Sequence, residues 1–150
     1  MIRRKDPYSN CKKISHKTQV RVRFNETDPL GIVWHGNYIK YFEDGREGFG
    51  LEYGISYLDI QAQGLVTPIV KSSCEHKLTV KYGEILTVEA TYVDTPAAKL
   101  IYLFRIFNEK NELVCLGETV QVFLNREGEL LLNVPPFIEE WKQKMNLTEC

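Results

Sequence analysis

The sequence predicts a single α+β domain in which one long helix covers an antiparallel sheet. Three observations predict it: an alternating segment near the N-terminus, one helical stripe of apolar residues, and a nearly continuous series of strand-like segments in the second half. This order is typical of α+β proteins, and an antiparallel sheet buries one face by placing a helix across it. The 150 residues, 43% hydrophobic and 26% charged, suit one globular domain.

The first predicted element is a strand over residues 18–24. Val20, Val22 and Phe24 alternate with polar residues, which is the period of a half-buried strand. We expect residues 1–16 to form a flexible N-terminal arm, residues 17–145 the domain, and residues 146–150 a C-terminal tail.

The next predicted element is a helix over residues 37–49, with the side chain of Asn37 capping its first turn. Its apolar stripe follows helical spacing. The stripe consists of Tyr38, Tyr41, Phe42, Gly45 and Phe49. A glycine inside a helix costs about 1 kcal/mol relative to alanine. We therefore expect Gly45 to permit a close approach between the helix and the sheet.

The remaining elements are a short helix, several strands and a terminal helix. Ser56 and Asp59 form a capping-box pattern, and Gly64 is placed to end the helix that follows. Pro135 and Pro136 are placed to open a terminal helix that runs through Trp141. Strands are predicted over residues 67–70, 74–80, 85–93, 100–107 and 113–124.

Charge and composition narrow the possible partners. The formal net charge is −1, so no global field favours nucleic acid. No apolar run approaches the ~20 residues that cross a bilayer. The four cysteines have no metal-ligand spacing. We expect a cytoplasmic protein with reduced thiols that binds neither nucleic acid nor membrane.

One segment carries chemistry. Asp28 follows the first strand, and His35 and Gly36 stand where the long helix is predicted to begin. The start of a helix attracts developing negative charge because its first N–H groups are unpaired. This order can place an acid or base beside such donors, an arrangement that suits hydrolysis of an ester-like carbonyl without a serine nucleophile or a metal.

Residues 27–33, Thr-Asp-Pro-Leu-Gly-Ile-Val, followed by His35, Asn37 and Tyr38, resemble the signature of the 4-hydroxybenzoyl-CoA thioesterase family. The resemblance covers roughly residues 17–145. It implies a hotdog fold, in which a curved antiparallel sheet wraps around one long helix. It further implies hydrolysis of acyl-CoA thioesters without a cofactor, CoA entering only as part of the substrate. A homodimer, or a dimer of dimers forming a tetramer, is also implied.

The resemblance assigns roles to individual residues. Asp28 matches the family's catalytic aspartate, acting either as nucleophile or as general base. His35, seven positions later, matches the assisting histidine of the bacterial short-chain acyl-CoA branch. The N–H groups of His35 and Gly36 are expected to bind the oxyanion. Trp34 is expected to contact the acyl chain or to pack in the core or a dimer contact.

The sequence also departs from the family's pattern. Phe24 stands where that branch usually has a tyrosine, so the hydroxyl is missing. Val80 stands where a proline is common near the turn between the central strands.

Several alternatives stay open at this point. Asp28 can be a turn residue whose carboxylate binds local backbone. Asp44, nine positions after His35, resembles the helix-borne carboxylate of phenylacetyl-CoA-type hotdog thioesterases. His76 is expected to point outward or to lie at an interface. The substrate can instead be a thioester of acyl carrier protein, and the protein can be a non-catalytic acyl-CoA-binding hotdog module.

Overall fold

Five strands and three α-helices make up the computed structural model, which describes residues 7–147. The strands are β1 (Lys13–Arg21), β2 (Ile69–His76), β3 (Ile85–Val93), β4 (Lys99–Phe107) and β5 (Leu113–Val122). The helices are α1 (Tyr38–Tyr53), α2 (Tyr57–Ala62) and α3 (Pro136–Lys144), with 3₁₀ turns at Phe24–Glu26 and His35–Asn37. All five strands form one sheet in the order β1-β3-β4-β5-β2, and every neighbouring pair is antiparallel. The predicted α+β class is confirmed.

Helix α1 packs against the inner face of the sheet through the predicted stripe, every member of which is buried. The close approach expected at Gly45 is confirmed, because a Cβ atom there would lie 2.6 Å from Cγ1 of Val88 on β3. A second glycine, Gly117 on β5, makes the reciprocal space. A Cβ atom at Gly117 would collide with the ring of Phe42, which stacks on Phe104 with ring centroids 4.6 Å apart.

Helix α1 differs from its prediction at both ends. It continues past residue 49 to Tyr53 and ends at Gly54, whose φ of 80° is the left-handed conformation that favours glycine. Tyr53, four residues after Phe49, continues the apolar stripe in this last turn and packs against the core, whereas Leu51 is exposed. The predicted cap is wrong as well: the Asn37 side chain makes no capping bond, and its Nδ2 donates to the carbonyl oxygen of Glu26 at 2.8 Å.

The strands from residue 85 onward lie close to their predicted positions, whereas the two earlier ones do not. β1 begins at Lys13, so residues 13–16, expected in the arm, belong to the sheet. Phe24 is exposed and lies in a 3₁₀ turn. The predicted strands 67–70 and 74–80 are replaced by the single edge strand β2. Nearly every β2 side chain is exposed, so the strand contains polar residues in its middle and lacks the apolar pattern of a buried strand. The sequence pattern therefore split it in two.

The terminal helix is confirmed and is anchored by buried polar contacts. Trp141 Nε1 donates to the carbonyl oxygen of Tyr53 at 2.7 Å. Nζ of Lys142 donates to the carbonyl oxygen of Thr95 at 2.7 Å and lies 3.0 Å from Oδ1 of buried Asp94. The predicted α2 is also confirmed, with Ser56 accepting from the N–H of Asp59.

The outer face of the sheet is covered in part by residues ahead of β1. Tyr8 and Cys11 pack against a small cluster of outward side chains, and Tyr8 Oη donates to Oε1 of Glu118 at 2.9 Å. Cys11 is disulfide-bonded, so the expectation of reduced thiols is wrong for this residue, while Cys74 and Cys115 are free.

Candidate active site

Residues 27–33 form a tight hairpin that presents Asp28. Thr27 pairs with Val33, and the N–H of Asp28 donates to the carbonyl oxygen of Ile32 at 2.9 Å. The N–H of Gly31 donates to the carbonyl oxygen of Asp28 at 2.9 Å. Gly31 has a φ of 79°, which closes the turn. The hairpin is fastened to the turn before β3, because the N–H of Val33 donates to the carbonyl oxygen of Val80 at 2.8 Å.

The Asp28 carboxylate is half-buried and is oriented by its own turn. Its Oδ1 accepts from the N–H of Leu30 at 2.9 Å, the local arrangement typical of aspartate in turns. Oδ2 accepts no hydrogen bond from residues 7–147. One oxygen is therefore fixed while the other is available for proton transfer or nucleophilic attack, so the structural role and the catalytic role are compatible.

Buried Glu26 joins the hairpin to the start of helix α1. Its Oε1 accepts from the N–H of Arg23 at 2.7 Å and from Oη of Tyr41 at 3.1 Å. Its carbonyl oxygen accepts from the N–H of Trp34 at 2.9 Å and from Nδ2 of Asn37 at 2.8 Å. Burial, followed by the nearby Glu26 charge, raises the pKa of Tyr41 well above that of an ordinary phenol. Sequence analysis missed Glu26, because a glutamate between a strand and a turn looks like a solvated charge.

The predicted oxyanion donors open the 3₁₀ turn that leads into α1. The N–H groups of His35 and Gly36 donate to no acceptor in the described part of the chain, as expected for the first residues of a helical turn. The indole of Trp34 lies over Gly36, where a Cβ atom would collide with it. The space left by the missing side chain of Gly36 is therefore occupied by Trp34 on that side. Its indole is about half exposed, at 49%.

His76, at the end of β2, joins this group of side chains. Its ring centroid lies 5.0 Å from that of Tyr38 and 6.4 Å from that of His35. Cys74 Sγ lies 3.9 Å from Nδ1 of His76, and burial raises the pKa of the Cys74 thiol. Burial, with Cys115 as the next cause, raises the pKa of Tyr38 to about 12. His76 is exposed, as predicted, but its contact with His35 joins residues 41 positions apart and has no local sequence signal.

Comparison with known proteins identifies the family. The profile of the thioesterase-like superfamily matches residues 22–142, which include the hairpin, both 3₁₀ turns and all strands after β1. The chain belongs to the thioesterase-like superfamily. This confirms the resemblance to 4-hydroxybenzoyl-CoA thioesterases that residues 27–38 carry.

Individual members of the superfamily match this chain along most of their own length. YneP of Bacillus subtilis (strain 168), provisionally named an acyl-CoA thioesterase, is 31% identical over 112 residues, covering 75% of this chain and 81% of YneP. The 4-hydroxybenzoyl-CoA thioesterase of Pseudomonas sp. (strain CBS-3) is 25% identical over 120 residues, covering 75% and 85%. The structure of a DHNA-CoA thioesterase from Staphylococcus aureus superposes with a TM-score of 0.80 at 27% identity, covering 88% and 91%. The predicted hotdog fold is confirmed.

Asp44, the rival carboxylate in this thioesterase-like chain, lies on the solvent side of α1. Burial and the nearby Glu26 charge raise its pKa. It faces two surface cavities, one beside β1 and one beside β4 and β5. Neither cavity is lined by Asp28 or His35, so the carboxylates of Asp44 and Asp28 lie on different parts of the surface.

Among residues 7–147, no group of three or more His, Cys, Asp or Glu side chains has the geometry to hold a metal ion. None of the helices there has the length and apolar character needed to span a bilayer.

Proposed function

We propose that this protein hydrolyses acyl-CoA thioesters to a free acid and CoA, with Asp28 as the reacting carboxylate. One observation carries the proposal: the hairpin that bears Asp28 pairs Thr27 with Val33, two residues before His35, and the N–H groups of His35 and Gly36 have no acceptor among residues 7–147. The hydrogen bonds of the hairpin thereby join the segment that carries Asp28 to the segment that leads directly into His35. The superfamily membership supports the same chemistry.

The proposed reaction needs a carboxylate, oxyanion donors and water. By one route Asp28 attacks the thioester carbon, the C–S bond breaks, and water opens the resulting mixed anhydride to regenerate the carboxylate. By the other, Asp28 takes a proton from the attacking water. Both routes consume one water and yield the acid and the CoA thiol. CoA is part of the substrate, and the proposed reaction uses no separate cofactor.

We assign the remaining roles to His35, Gly36 and Trp34. The N–H groups of His35 and Gly36 stabilise the carbonyl oxygen as it becomes negative, and removal of one such donor typically raises the barrier by about 2.7–4 kcal/mol. The exposed imidazole of His35 assists by hydrogen-bonding to the carbonyl oxygen or protonating the leaving thiolate. The exposed indole edge of Trp34 offers an apolar contact for the acyl group.

The experiment that tests this function is a panel of acyl-CoA thioesters followed with a thiol-detecting dye. Short-chain, long-chain and aryl acyl groups are included, since the relatives' names include both acyl-CoA and aryl-CoA thioesterases. We expect thiol release from at least one class at a rate proportional to enzyme concentration. Thioesters of acyl carrier protein are assayed beside the panel, and release from these alone would make acyl carrier protein, not CoA, the carrier in the substrate. Tight binding of acyl-CoA without release would favour a non-catalytic module.

We further propose that two copies pair through strand β2. This strand lies at the edge of the sheet with nearly all its side chains exposed, and an edge strand presents unpaired N–H and C=O groups. An isologous pairing of β2 with its own copy satisfies those groups in both chains. The bulge between Ile69 and Lys71 confines the pairing to the segment 71–76.

Sedimentation equilibrium and amide hydrogen exchange test the pairing. We expect a mass of two 17.4 kDa chains, or of four if dimers pair again. We also expect slow exchange of the outward β2 amides, with β1 at the other edge of the sheet as an internal comparison. A monomer at micromolar concentration with fast exchange along β2 would contradict the proposal.

A further inference from the structure

The imidazole of His35 has no hydrogen bond that would hold it in one orientation. The side chain is exposed, and its two ring nitrogens make no hydrogen bond with residues 7–147. A functional imidazole is commonly oriented by a hydrogen bond at its second ring nitrogen. In the described part of the chain, the His35 ring instead has two ring contacts. Its centroid lies 4.9 Å from that of Trp34, its neighbour in sequence, and 6.4 Å from that of His76.

His76 reaches this ring from a different part of the chain. Its Cα is paired with that of Cys115 on β5, and Cys115 belongs to the buried core. Side chains directly opposite each other point to the same face of a sheet, so His76 stands on the face that carries α1. Its ring meets that of His35 at an interplanar angle of 83°. This edge-to-face contact falls in the ~4.5–7 Å range of favourable aromatic pairs.

His76 is itself held in place by the fold. Its ring lies edge-to-face with that of Tyr38 at 5.0 Å, and Tyr38 is a 3% exposed member of the α1 stripe. Nδ1 of His76 lies 3.9 Å from Sγ of Cys74, two residues earlier on β2. Directly after the strand, the N–H of Lys77 donates to the carbonyl oxygen of Val114 at 2.8 Å. His76 is therefore a fixed ring at the end of a strand.

We propose that His76 is a positioning residue for thioester hydrolysis, which holds the imidazole of His35 in the orientation that meets the carbonyl oxygen or the leaving thiolate. This role rests on the proposed function of the site and adds a residue outside the segment that carries Asp28 and His35. An unrestrained imidazole spends part of its time in orientations that cannot donate, and small misplacements of a reacting group are expensive in rate. His76 takes no step of the reaction, so its loss lowers kcat through His35 alone.

A double-mutant cycle on kcat tests whether His76 acts through His35. Thiol release is measured with the acyl-CoA of the panel that is hydrolysed fastest. We expect His35→Ala to lower kcat by about 10²-fold, the lower end of a general acid's contribution. We expect His76→Ala to lower kcat by about tenfold with little change in KM, and by less than about twofold when His35 is already alanine. Wild-type turnover by either single variant, or equal losses in both backgrounds, would overturn the proposal.

Two matched variants separate the ring contact from a merely structural role. His76→Phe keeps an aromatic ring at this place, and we expect its kcat to stay within about threefold of wild type. His16→Ala removes a histidine from the other edge strand, where its ring meets that of Tyr53 at 6.1 Å and 84°. This variant is expected to keep wild-type kcat. Because His76 is exposed, we expect His76→Ala to unfold within about 2 °C of wild type. An equal loss of kcat in His76→Phe and His76→Ala would refute positioning by a ring contact.

NMR of the imidazole C–H groups reads the His35 ring directly and needs no substrate. The chain has 3 histidines, so isotope-labelled histidine gives a simple spectrum. We expect His76→Ala to shift the His35 signals and to lower the order parameter of its ring, with the His16 signals unchanged. Unchanged His35 signals would overturn the proposal. A wild-type protein that releases no thiol would refute the proposed hydrolysis, whereas the NMR result decides separately whether His76 holds His35.

Discussion

Asp28→Asn is expected to lower kcat for thioester hydrolysis by at least about 10²- to 10⁴-fold, the usual contribution of a general base, and by more if Asp28 is the nucleophile. The fold should not change. An asparagine Oδ1 can still accept from the N–H of Leu30, so the bond that orients the side chain in its hairpin is retained. Steady-state thiol release measures the activity, and thermal unfolding measures the stability.

The matched control is Asp44→Asn, which makes the same chemical change on helix α1. The cavities that Asp44 lines contain neither Asp28 nor His35. We therefore expect the kcat of Asp44→Asn to stay within about threefold of wild type, which is a change of less than about 1 kcal/mol in the activation free energy. Near wild-type turnover by Asp28→Asn would show that the Asp28 carboxylate takes no part in the reaction. If Asp44→Asn were inactive at the same time, the helix carboxylate would take its place.

Glu26→Ala is expected to destabilise the protein by about 2–4 kcal/mol and to reduce activity in the fraction that stays folded. The buried Tyr41 hydroxyl would lose its acceptor, and the space left by the missing carboxyl group would open under the hairpin. The positions of Asp28 and of the His35–Gly36 donors would then be less constrained, and small misplacements of reacting groups are expensive in rate.

Glu26→Gln separates the hydrogen bonds from the charge. A glutamine Oε1 can still accept from Tyr41 and from the N–H of Arg23, so we expect at least half of the stability loss to be recovered along with most of the activity. Chemical denaturation and thiol release, measured side by side, check both effects. An alanine variant as stable and as active as wild type would show that Glu26 does not hold the site together.

The fold was largely predictable because most of its signals are local. The alternation in β3 to β5, the stripe on α1, the Ser56–Asp59 capping box and Pro136 each follow from neighbouring residues. β2 was not predictable as one strand, since its exposed side chains do not follow a buried period. The end of α1 was missed although its signals are local: Tyr53 continues the stripe after Phe49, and Gly54 ends the helix one residue later.

The candidate site divides in the same way. Asp28, His35, Gly36 and Trp34 lie within nine consecutive residues, so a short motif could identify them. The partners that organise or extend the site do not share a segment with it. His76 reaches His35 from another strand. Arg46 on α1 and Gln121 on β5 line the same cavity although they stand far apart in the sequence. Contacts of this kind depend on strand order and register, which a single sequence does not state.

The two glycine spaces between α1 and the sheet have a mechanical consequence. Val88 occupies the space at Gly45 on the helix, and Phe42 of the helix occupies the space at Gly117 on the sheet. A knob on each surface sits in a socket on the other, so sliding or rolling α1 requires two collisions at once. We therefore expect helix α1 to keep its position on the sheet. Any adjustment to ligands of different size is then expected in the connecting segments, including the hairpin that carries Asp28.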